Sequence, residues 1–359
     1  MSREIKISGN LNMLNVPDPA IFNGLSQDEA ENWATYFYVF PKDTAKKVSL
    51  KARAFALYDP FAKRDQFPAG IRFCVNTHTG CEHDCAYCYA KNYLVRANEF
   101  REKPELLKNC LKDLKEMESL KLQAVPLHIS NSTDPFQTQL ETKTRKTLKL
   151  MKLVANHREH FTTITFLTKN PELASNEHYV SVFKTLEPCQ VEVSLIFYND
   201  ENRRFYEPNA PSVQSRLEGI QRLRGSGIKV SLRIDPLIPR EPLPKPFWKH
   251  SELKSYGIER THTLGEIESL VSFAKSVGCQ KIIVSPLKVP IGYRSPCWLK
   301  EYFRELYAEP FGGRPKVKSF AFRLPEDYVR NTLFTEVLDI CNAYGMEMIH
   351  CKHNLINTK

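Results

Sequence analysis

Three cysteines within eight residues are the feature of this sequence most able to do chemistry. Cys81, Cys85 and Cys88 have the spacing C-x3-C-x2-C inside the segment GCEHDCAYCYAKNY. Thiols this close together are typical of a metal ion or an iron–sulfur cluster, and three merely structural cysteines at this spacing would be improbable. A four-iron cluster held by only three thiolates leaves one iron open to another molecule.

A zinc site is the alternative interpretation of the same segment. His83 stands among the cysteines and could complete a tetrahedral Cys3His set. Structural zinc sites usually combine two cysteine-containing turns to stabilise a small fold. This chain has one such turn, and its 359 residues are enough to form a stable core without it. The context favours the cluster, and a non-enzymatic, zinc-stabilised binding module is kept as a second hypothesis.

Composition limits the class of protein. Apolar stretches such as KIIV at 281–284 are far shorter than the roughly 20 residues that cross a bilayer, and the N-terminus lacks a secretory pattern. We therefore expect a globular, cytoplasmic protein with reduced cysteines and no membrane segment. The net charge of +10 is compatible with nucleic acid as a partner, and equally with an ordinary basic enzyme surface.

Short β-rich runs alternate with helical patterns from residue 70 onward, and this rhythm predicts an α/β fold. The strands read as largely apolar on both faces, as expected where helices cover a parallel sheet. The series fits a complete or partial α/β barrel or an open doubly wound sheet, with functional residues at the carboxyl ends of the strands. The six predicted strands are IRFCVN (71–76), VPLHIS (125–130), TITFLT (163–168), VEVSLIF (191–197), IKVSLRI (228–234) and KIIVSP (281–286).

Three regions follow from this pattern. Residues 1–66 are polar and irregular and form an N-terminal extension, with a helix start where Ser26 and Glu29 can cap each other's free amides. Residues 67–290 form the core barrel. Residues 291–359 form an α/β C-terminal tail that closes one side of it.

The cysteine motif, with Tyr87 directly before its third cysteine, resembles that of the radical S-adenosylmethionine (radical SAM) enzymes. Four further segments resemble, in order, the spore photoproduct lyase-like group, which contains DNA-repair lyases and relatives of uncertain substrate. These segments are STDPFQ (132–137), TKN (168–170), YEPNAPSVQSRLEGIQRL (206–223) and DPLIP (235–239).

The resemblance implies a partial (β/α)6 barrel of the TIM type that holds a [4Fe-4S] cluster on Cys81, Cys85 and Cys88. In the family the open iron binds the amino and carboxylate groups of S-adenosylmethionine. An electron from a donor such as flavodoxin or ferredoxin then cleaves the sulfonium, and the resulting 5′-deoxyadenosyl radical abstracts hydrogen from the substrate. An oxygen-sensitive lyase or oxidoreductase acting on nucleic acid or a nucleotide-like molecule is expected, with modification of a peptide or protein side chain as the alternative.

The end of the second predicted strand supplies the first candidate cofactor contacts. Ser130, Asn131, Ser132 and Thr133 carry short hydroxyl and amide groups that could accept the methionyl ammonium, as the corresponding strand end does in the family. A simple turn headed by Asp134 is the structural alternative.

Other candidates lie in later segments. Lys169, just past the third strand, could pair with the methionyl carboxylate or be an ordinary surface lysine. The Ser194 hydroxyl lies in an apolar strand and needs a partner, which a ribose could supply as in similar enzymes. Tyr87 could pack on the adenine.

Charged residues near the fifth strand complete the set. Arg216 is expected to orient the cofactor or a neighbouring carboxylate, with Glu207 as one candidate partner. Arg233 and Asp235 are two residues apart on a strand and therefore share a face. They could contact the cofactor or form a buried pair that only orders the mouth of the barrel.

One feature of the photoproduct lyases is missing. In those enzymes a cysteine shortly before a Thr/Ser-Asp step donates a hydrogen atom to the product radical. Here the corresponding stretch, SNSTDPF, has Asn131 or Ser132 at that position, and O–H and N–H bonds are far too strong to serve. The protein is therefore expected not to be a genuine photoproduct lyase, unless another thiol or a tyrosine substitutes.

Overall fold

The computed structural model describes residues 25–39, 49–58, 72–88, 90, 99–238, 261–287, 289–290, 321–322 and 328–350. Much of the predicted extension and tail, and the proline-rich segment from residue 239 onward, lie outside these ranges. The domain boundaries at residues 66 and 290 therefore remain predictions.

The described strands are numbered along the chain. They are β1 (Tyr38–Val39), β2 (Ser49–Leu50), β3 (Ala56–Tyr58), β4 (Arg72–Val75), β5 (His78–Thr79), β6 (Arg101–Glu102), β7 (Val125–Ile129), β8 (Phe161–Thr168), β9 (Cys189–Ser194), β10 (Lys229–Leu237), β11 (Lys281–Pro286), β12 (Val289–Pro290), β13 (Ala321–Phe322) and β14 (Glu347–His350).

The described α-helices are numbered in the same way. They are α1 (Gln27–Phe37), α2 (Leu106–Ser119), α3 (Thr138–Thr144), α4 (Lys146–Ala155), α5 (Pro171–Ala174), α6 (Glu177–Thr185), α7 (Asp200–Tyr206), α8 (Val213–Gly225), α9 (Leu264–Ser276) and α10 (Thr335–Ala343). A 3-10 turn (Arg158–His160) precedes β8, and a π-helical turn (Val329–Phe334) leads into α10. Within the described ranges, every helix is too short or too polar to span a bilayer.

An eight-stranded sheet forms the centre of the fold. All six predicted strands belong to it in chain order, and β14 adds a seventh parallel strand beyond β11. The eighth, β3, lies antiparallel to β4, inside the predicted N-terminal extension. Among the described strands, β3 and β14 are the two edges, so the sheet is a partial barrel of the TIM type.

One face of the sheet is apolar and covered by helices. Phe166, Val191 and Val230 are lateral neighbours on three consecutive strands. The Phe166 ring contacts Phe183 of α6, with ring centroids 5.0 Å apart. Because right-handed crossovers join parallel strands that follow chain order, the connecting helices lie on this one face.

The opposite face is polar, so the expectation of strands apolar on both faces was wrong. The side chains alternate along each strand, and the period of two places every second residue on this inner face. The register makes the assignment direct, since Cys74, His128, Thr165 and Gln190 are lateral neighbours. The inner face, which is mostly polar, is defined here as Cys74, His128, Thr165, Leu167, Gln190, Glu192, Ser194, Ser231, Arg233 and Ile283.

The beginning of the described chain packs against the first barrel strand. The capping box predicted at Ser26 and Glu29 is present at the start of α1. Trp33 of this helix is buried against Phe73 of β4, with ring centroids 5.8 Å apart. This aromatic contact joins α1 to the sheet on the helix-covered face, opposite the inner face.

Helices α5 and α8 touch where α8 has no side chain. A Cβ placed on Gly219 would lie 2.4 Å from the backbone nitrogen of Glu172 and 2.5 Å from the backbone carbon of Pro171. Backbone atoms cannot move aside as a flexible side chain can, so glycine sets the distance between these helices.

Replacing this glycine should separate the two helices. We expect Gly219→Ala to lower the free energy of unfolding by about 1–3 kcal/mol, the usual cost of overpacking. Gly225→Ala is the matched control, because no heavy atom lies within 4 Å of its added Cβ. Urea denaturation of both variants checks the prediction, and equal stabilities would contradict the close contact.

Candidate active site

The three clustered thiols lie in a loop at the carboxyl end of β4. Cys85 is buried, and Cys81 and Cys88 are partly exposed. Burial raises the pKa of the Cys85 thiol to about 12, and burial, then Asp134 and Cys85, raises that of Cys81 well above its usual value. Thiols in this setting need nearby positive charge to ionise, which a bound metal supplies.

One side of the loop is fastened to the start of α3. The Gln137 side chain accepts a hydrogen bond from the Glu82 amide at 2.8 Å and donates to the Gly80 carbonyl at 3.2 Å. The Glu82 carboxylate accepts the Thr138 and Gln139 amides, where a helix N-terminus favours negative charge. The first half of the loop is thereby fixed before any ligand binds.

Gly80 itself is required by the backbone. Its φ of +72° lies in the left-handed region, and a Cβ would lie 2.6 Å from the Glu99 carbonyl oxygen. The turn that introduces the cysteines therefore has no room for a larger residue.

The other side of the loop is fastened to the segment that joins α7 to α8. The Ala86 amide donates to the Tyr206 carbonyl at 2.8 Å, and the Asn209 amide donates to the His83 carbonyl at 3.4 Å. Two distant parts of the chain thus hold the cysteines between them.

Asp134 is a buried carboxylate that joins the thiol loop to the ends of β7 and β8. One oxygen accepts the Phe136 amide and the Thr168 hydroxyl, both at 2.8 Å. The other accepts the Lys169 amide at 2.6 Å and lies 3.1 Å from His83 Nε2. Burial alone would raise the pKa of Asp134, but these hydrogen bonds outweigh it and hold the pKa below its usual range.

The predicted cofactor contacts after β7 occupy the mouth of the barrel. Asn76 accepts the amides of both Asn131 and Ser132 at 2.9 Å. Ser130 is fully buried in a left-handed conformation with φ of 65°, and within the described part of the chain its hydroxyl has no hydrogen-bond partner. The Thr133 hydroxyl instead donates to the Gly80 carbonyl, which gives it a role in supporting the loop.

A second buried carboxylate, Glu207, gathers Tyr87, Lys169 and Arg216. The Tyr87 hydroxyl donates to it, Arg216 Nη2 lies 2.6 Å from Oε2, and Lys169 Nζ lies 3.9 Å from Oε1. Burial would raise the pKa of Glu207, but the cations of Arg216 and Lys169 hold it below its usual range. The contact between Arg216 and Glu207 is the one that the sequence suggested.

Lys169 belongs to this site and is not the exposed surface lysine that the sequence left open. Its ammonium lies 5.6 Å from the centre of the Tyr87 ring. Burial would lower the pKa of Lys169, but Cys85, where it is ionised, and the Glu207 carboxylate raise it above its usual value. The group therefore remains a cation beside the thiol loop.

Arg216 acts within the protein rather than toward the mouth of the barrel. It is fully buried, and it donates to the carbonyls of Pro211 at 3.0 Å and Ser194 at 3.1 Å. With Glu207 these contacts use its guanidinium to order the segment before α8. The Ser194 hydroxyl has a partner of its own, a long hydrogen bond of 3.4 Å to the Asp235 carbonyl.

Arg233 and Asp235 form the pair that the sequence offered as the structural alternative. Arg233 donates to the Asp235 carboxylate and also to Glu192 on the neighbouring strand, at 2.5 Å. The pair lies at the end of β10, where the inner face meets the mouth of the barrel. The contacts of Arg233 with Asp235 and Glu192 hold the carboxyl ends of β9 and β10 together.

The donors fit a cluster better than a single zinc ion. In tetrahedral zinc the sulfur atoms would lie about 3.8 Å apart. Among the described residues, His157, Glu159 and His160 are the only three His, Cys, Asp or Glu side chains whose donor atoms all lie within 4.8 Å of one another. The three loop sulfurs are therefore farther apart than one zinc ion requires. His83, the fourth ligand of the zinc hypothesis, uses Nε2 to contact Asp134 but keeps Nδ1 unpartnered among the described residues, so the spacing of the thiols decides between the two sites. A four-iron cluster needs thiolates on separate irons, which the wider spacing fits.

A family comparison agrees with this geometry. Residues 75–243 match the family model of the radical SAM superfamily. This part of the chain is a radical SAM domain. Members of the superfamily use a [4Fe-4S] cluster and S-adenosylmethionine, and they are enzymes.

Curated relatives of the radical SAM domain carry no assigned activity. An uncharacterized protein of Methanocaldococcus jannaschii is 22% identical over 47% of this chain and 62% of its own. An uncharacterized protein of Mycobacterium tuberculosis is 25% identical over 47% of this chain and 51% of its own. The chain thus spans about half to three fifths of the length of these relatives.

Solved structures show the same fold. One structure of spore photoproduct lyase has a TM-score of 0.56 and 12% identity, covering 84% of this chain and 80% of the lyase. Another, complexed with a dinucleoside spore photoproduct, has a TM-score of 0.54 and 12% identity, covering 78% and 76%. At this identity the likeness extends to the fold alone.

Several residues that build the site were missed from the sequence. Asp134 was read only as the head of a turn, and Asn76, Gln137 and Glu192 were not singled out. A buried strand position occupied by Glu192 was an available signal, because an unpaired carboxylate does not persist in a core. The residues that Asn76 binds after β7, and those that Gln137 binds in the thiol loop, lie more than 50 positions away in the sequence, and no local pattern predicts them.

The Glu207 contacts can be tested through stability. Glu207→Gln should lower the free energy of unfolding by about 3 kcal/mol or more, because it leaves the buried guanidinium of Arg216 without a counter-charge. Glu218→Gln makes the same chemical change at an exposed pair on α8, where Arg222 lies 3.8 Å away. We expect that control to stay within about 0.5 kcal/mol of the parent. Similar losses in the two variants, in urea denaturation, would count against the buried pair.

Proposed function

We propose that the protein is a radical SAM enzyme whose cluster is held by Cys81, Cys85 and Cys88. The observation that carries the proposal is the thiol loop, held on both sides by hydrogen bonds. It lies beside a partly buried cation, Lys169, and a buried hydroxyl, Ser130, that has no hydrogen-bond partner among the described residues. When bound, the cluster and S-adenosylmethionine supply reductive cleavage of a sulfonium and abstraction of a hydrogen atom.

The residues of the chain have separate tasks in this proposal. Lys169 offers a positive charge to the methionyl carboxylate, while Ser130, Asn131 and Ser132 offer polar groups to the methionyl ammonium at the end of β7. Tyr87 stays protonated, because burial, with Glu207 and Cys85 next, raises its pKa well above the usual value. It can therefore keep its hydrogen bond to Glu207 while its ring remains beside Lys169.

Replacing one cluster ligand should abolish the radical reaction. After anaerobic reconstitution and reduction with dithionite, the parent protein should convert S-adenosylmethionine to 5′-deoxyadenosine, and Cys85→Ala should not. Cys279→Ala is the matched control, because Cys279 is also buried but lies just after α9, outside the loop. We expect it to retain the activity and the bound iron.

Metal analysis separates this proposal from the zinc hypothesis. Iron with acid-labile sulfide supports the cluster, and their loss in Cys85→Ala assigns it to the loop. About one zinc per chain without sulfide would instead support a zinc-stabilised module and overturn the proposal.

For the substrate, we propose a nucleic acid or a nucleotide-like molecule. The net charge of +10 is compatible with a polyanion, and the inner face offers charged and hydrogen-bonding groups where an aliphatic substrate would need an apolar surface. The spore photoproduct lyase structures, which share this fold, include complexes with a dinucleoside spore photoproduct. Modification of a peptide side chain remains the second candidate, and the inner face would also suit amide groups.

Binding measured across a salt series tests the substrate class. We expect the cluster-loaded protein to bind labelled single-stranded DNA or RNA, with the logarithm of affinity falling linearly with the logarithm of salt between about 50 and 200 mM. An acidic peptide of equal charge is the control and should bind more weakly. Tighter binding of the peptide, or nucleic-acid binding that ignores salt, would favour the second candidate.

A further inference from the structure

A second group of metal-binding side chains lies at the opposite end of β8 from the thiol loop. The segment His157-Arg158-Glu159-His160 forms the 3-10 turn before this strand. Glu159 Oε1 lies 3.7 Å from His160 Nε2 and 4.0 Å from His157 Nδ1. The three residues each place a donor atom within 4.8 Å of the others.

His160 supplies an independent sign that the turn is built for a ligand. Its side chain is only 8% exposed, and its buried Nε2 has no hydrogen-bond partner among the residues that the structure describes. An unpaired buried nitrogen carries a free-energy cost that a ligand would remove.

Arg158 holds the turn in place through hydrogen bonds that do not involve the side chains of His157, Glu159 or His160. Its guanidinium donates to the carbonyls of Leu186 at 3.0 Å and Thr162 at 3.2 Å, and also to those of Phe161 and Pro188. The rings of His157 and His160 are nearly parallel, with centroids 6.3 Å apart. A turn fixed in this way needs little reorganisation to bind an ion.

We propose that His157, Glu159 and His160 bind a divalent transition-metal ion of the Zn²⁺ class. In tetrahedral zinc with nitrogen and oxygen ligands, the donor atoms lie about 3.4 Å apart, so closing the observed gaps needs only small side-chain rotations. Two imidazoles with one carboxylate favour Zn²⁺, Co²⁺ or Ni²⁺ over Mg²⁺ or Ca²⁺, which prefer oxygen. Glu159, 65% exposed, leaves the outer side open to water or to another ligand.

This inference is independent of the proposed radical function, and its readout is metal binding rather than activity. Cluster-loaded protein, in which the thiols are occupied, is titrated with Co²⁺ and then with Zn²⁺ under anaerobic conditions. We expect about one Co²⁺ per chain, displaced by Zn²⁺, and the difference spectrum against the cluster-loaded protein should show the visible bands of tetrahedral nitrogen and oxygen coordination. A new sulfur-to-cobalt charge-transfer band in that difference spectrum would place the ion on the cysteines and overturn the assignment.

Variants locate the ion. His160→Ala should weaken Zn²⁺ binding by about tenfold or more, while His178→Ala, at an exposed histidine on α6, should leave it unchanged. Glu159→Gln removes a ligand from the surface without disturbing the core, and it should weaken binding even where His160→Ala fails to fold. Equal affinity in the parent and Glu159→Gln, or no binding by the parent, would overturn the proposal.

Discussion

The thiol loop depends on a constraint that lies outside it, the burial of two carboxylates. Asp134 and Glu207 are both withdrawn from water, and each would be costly there without several partners. Asp134 has backbone amides and side chains from the loop and from the ends of β7 and β8. Glu207 has cations from β8 and α8 and the hydroxyl of Tyr87. Because both carboxylates need these partners, the thiol loop and the ends of the neighbouring strands and helices are held in one arrangement.

The topology explains why this arrangement lies where it does. With parallel strands in chain order, the helices cover one face and the carboxyl ends of the strands meet at one edge. None of the described helices packs against the other face, which carries polar groups such as His128 and Arg233. The cysteines at the edge and the polar inner face are therefore consequences of the same strand order.

How far the sequence predicts this site depends on how far apart the partners lie. The strands were predicted because their apolar runs are local, and the thiol motif because its spacing is local. The pairing of Arg216 with Glu207 was within reach because only a short segment separates them. The contacts of Asp134 could not be predicted, because His83 and Lys169 lie 51 and 35 residues away from it in the sequence. The polarity of the inner face was not predicted, because the strands were identified from runs of apolar residues. The alternation of polar and apolar residues along each strand was the better guide.

The two ends of β8 illustrate how one chain can keep two kinds of metal chemistry apart. At its carboxyl end, Lys169 faces soft thiols that suit iron and sulfide, and at its amino end His160 offers imidazole, which suits harder divalent ions. The strand runs from Phe161 to Thr168, which at about 3.3 Å per residue separates the ends by roughly 20 Å. Neither donor set can complete the other across that distance. Ligand softness and strand length together would thus assign each ion to its own end of the sheet.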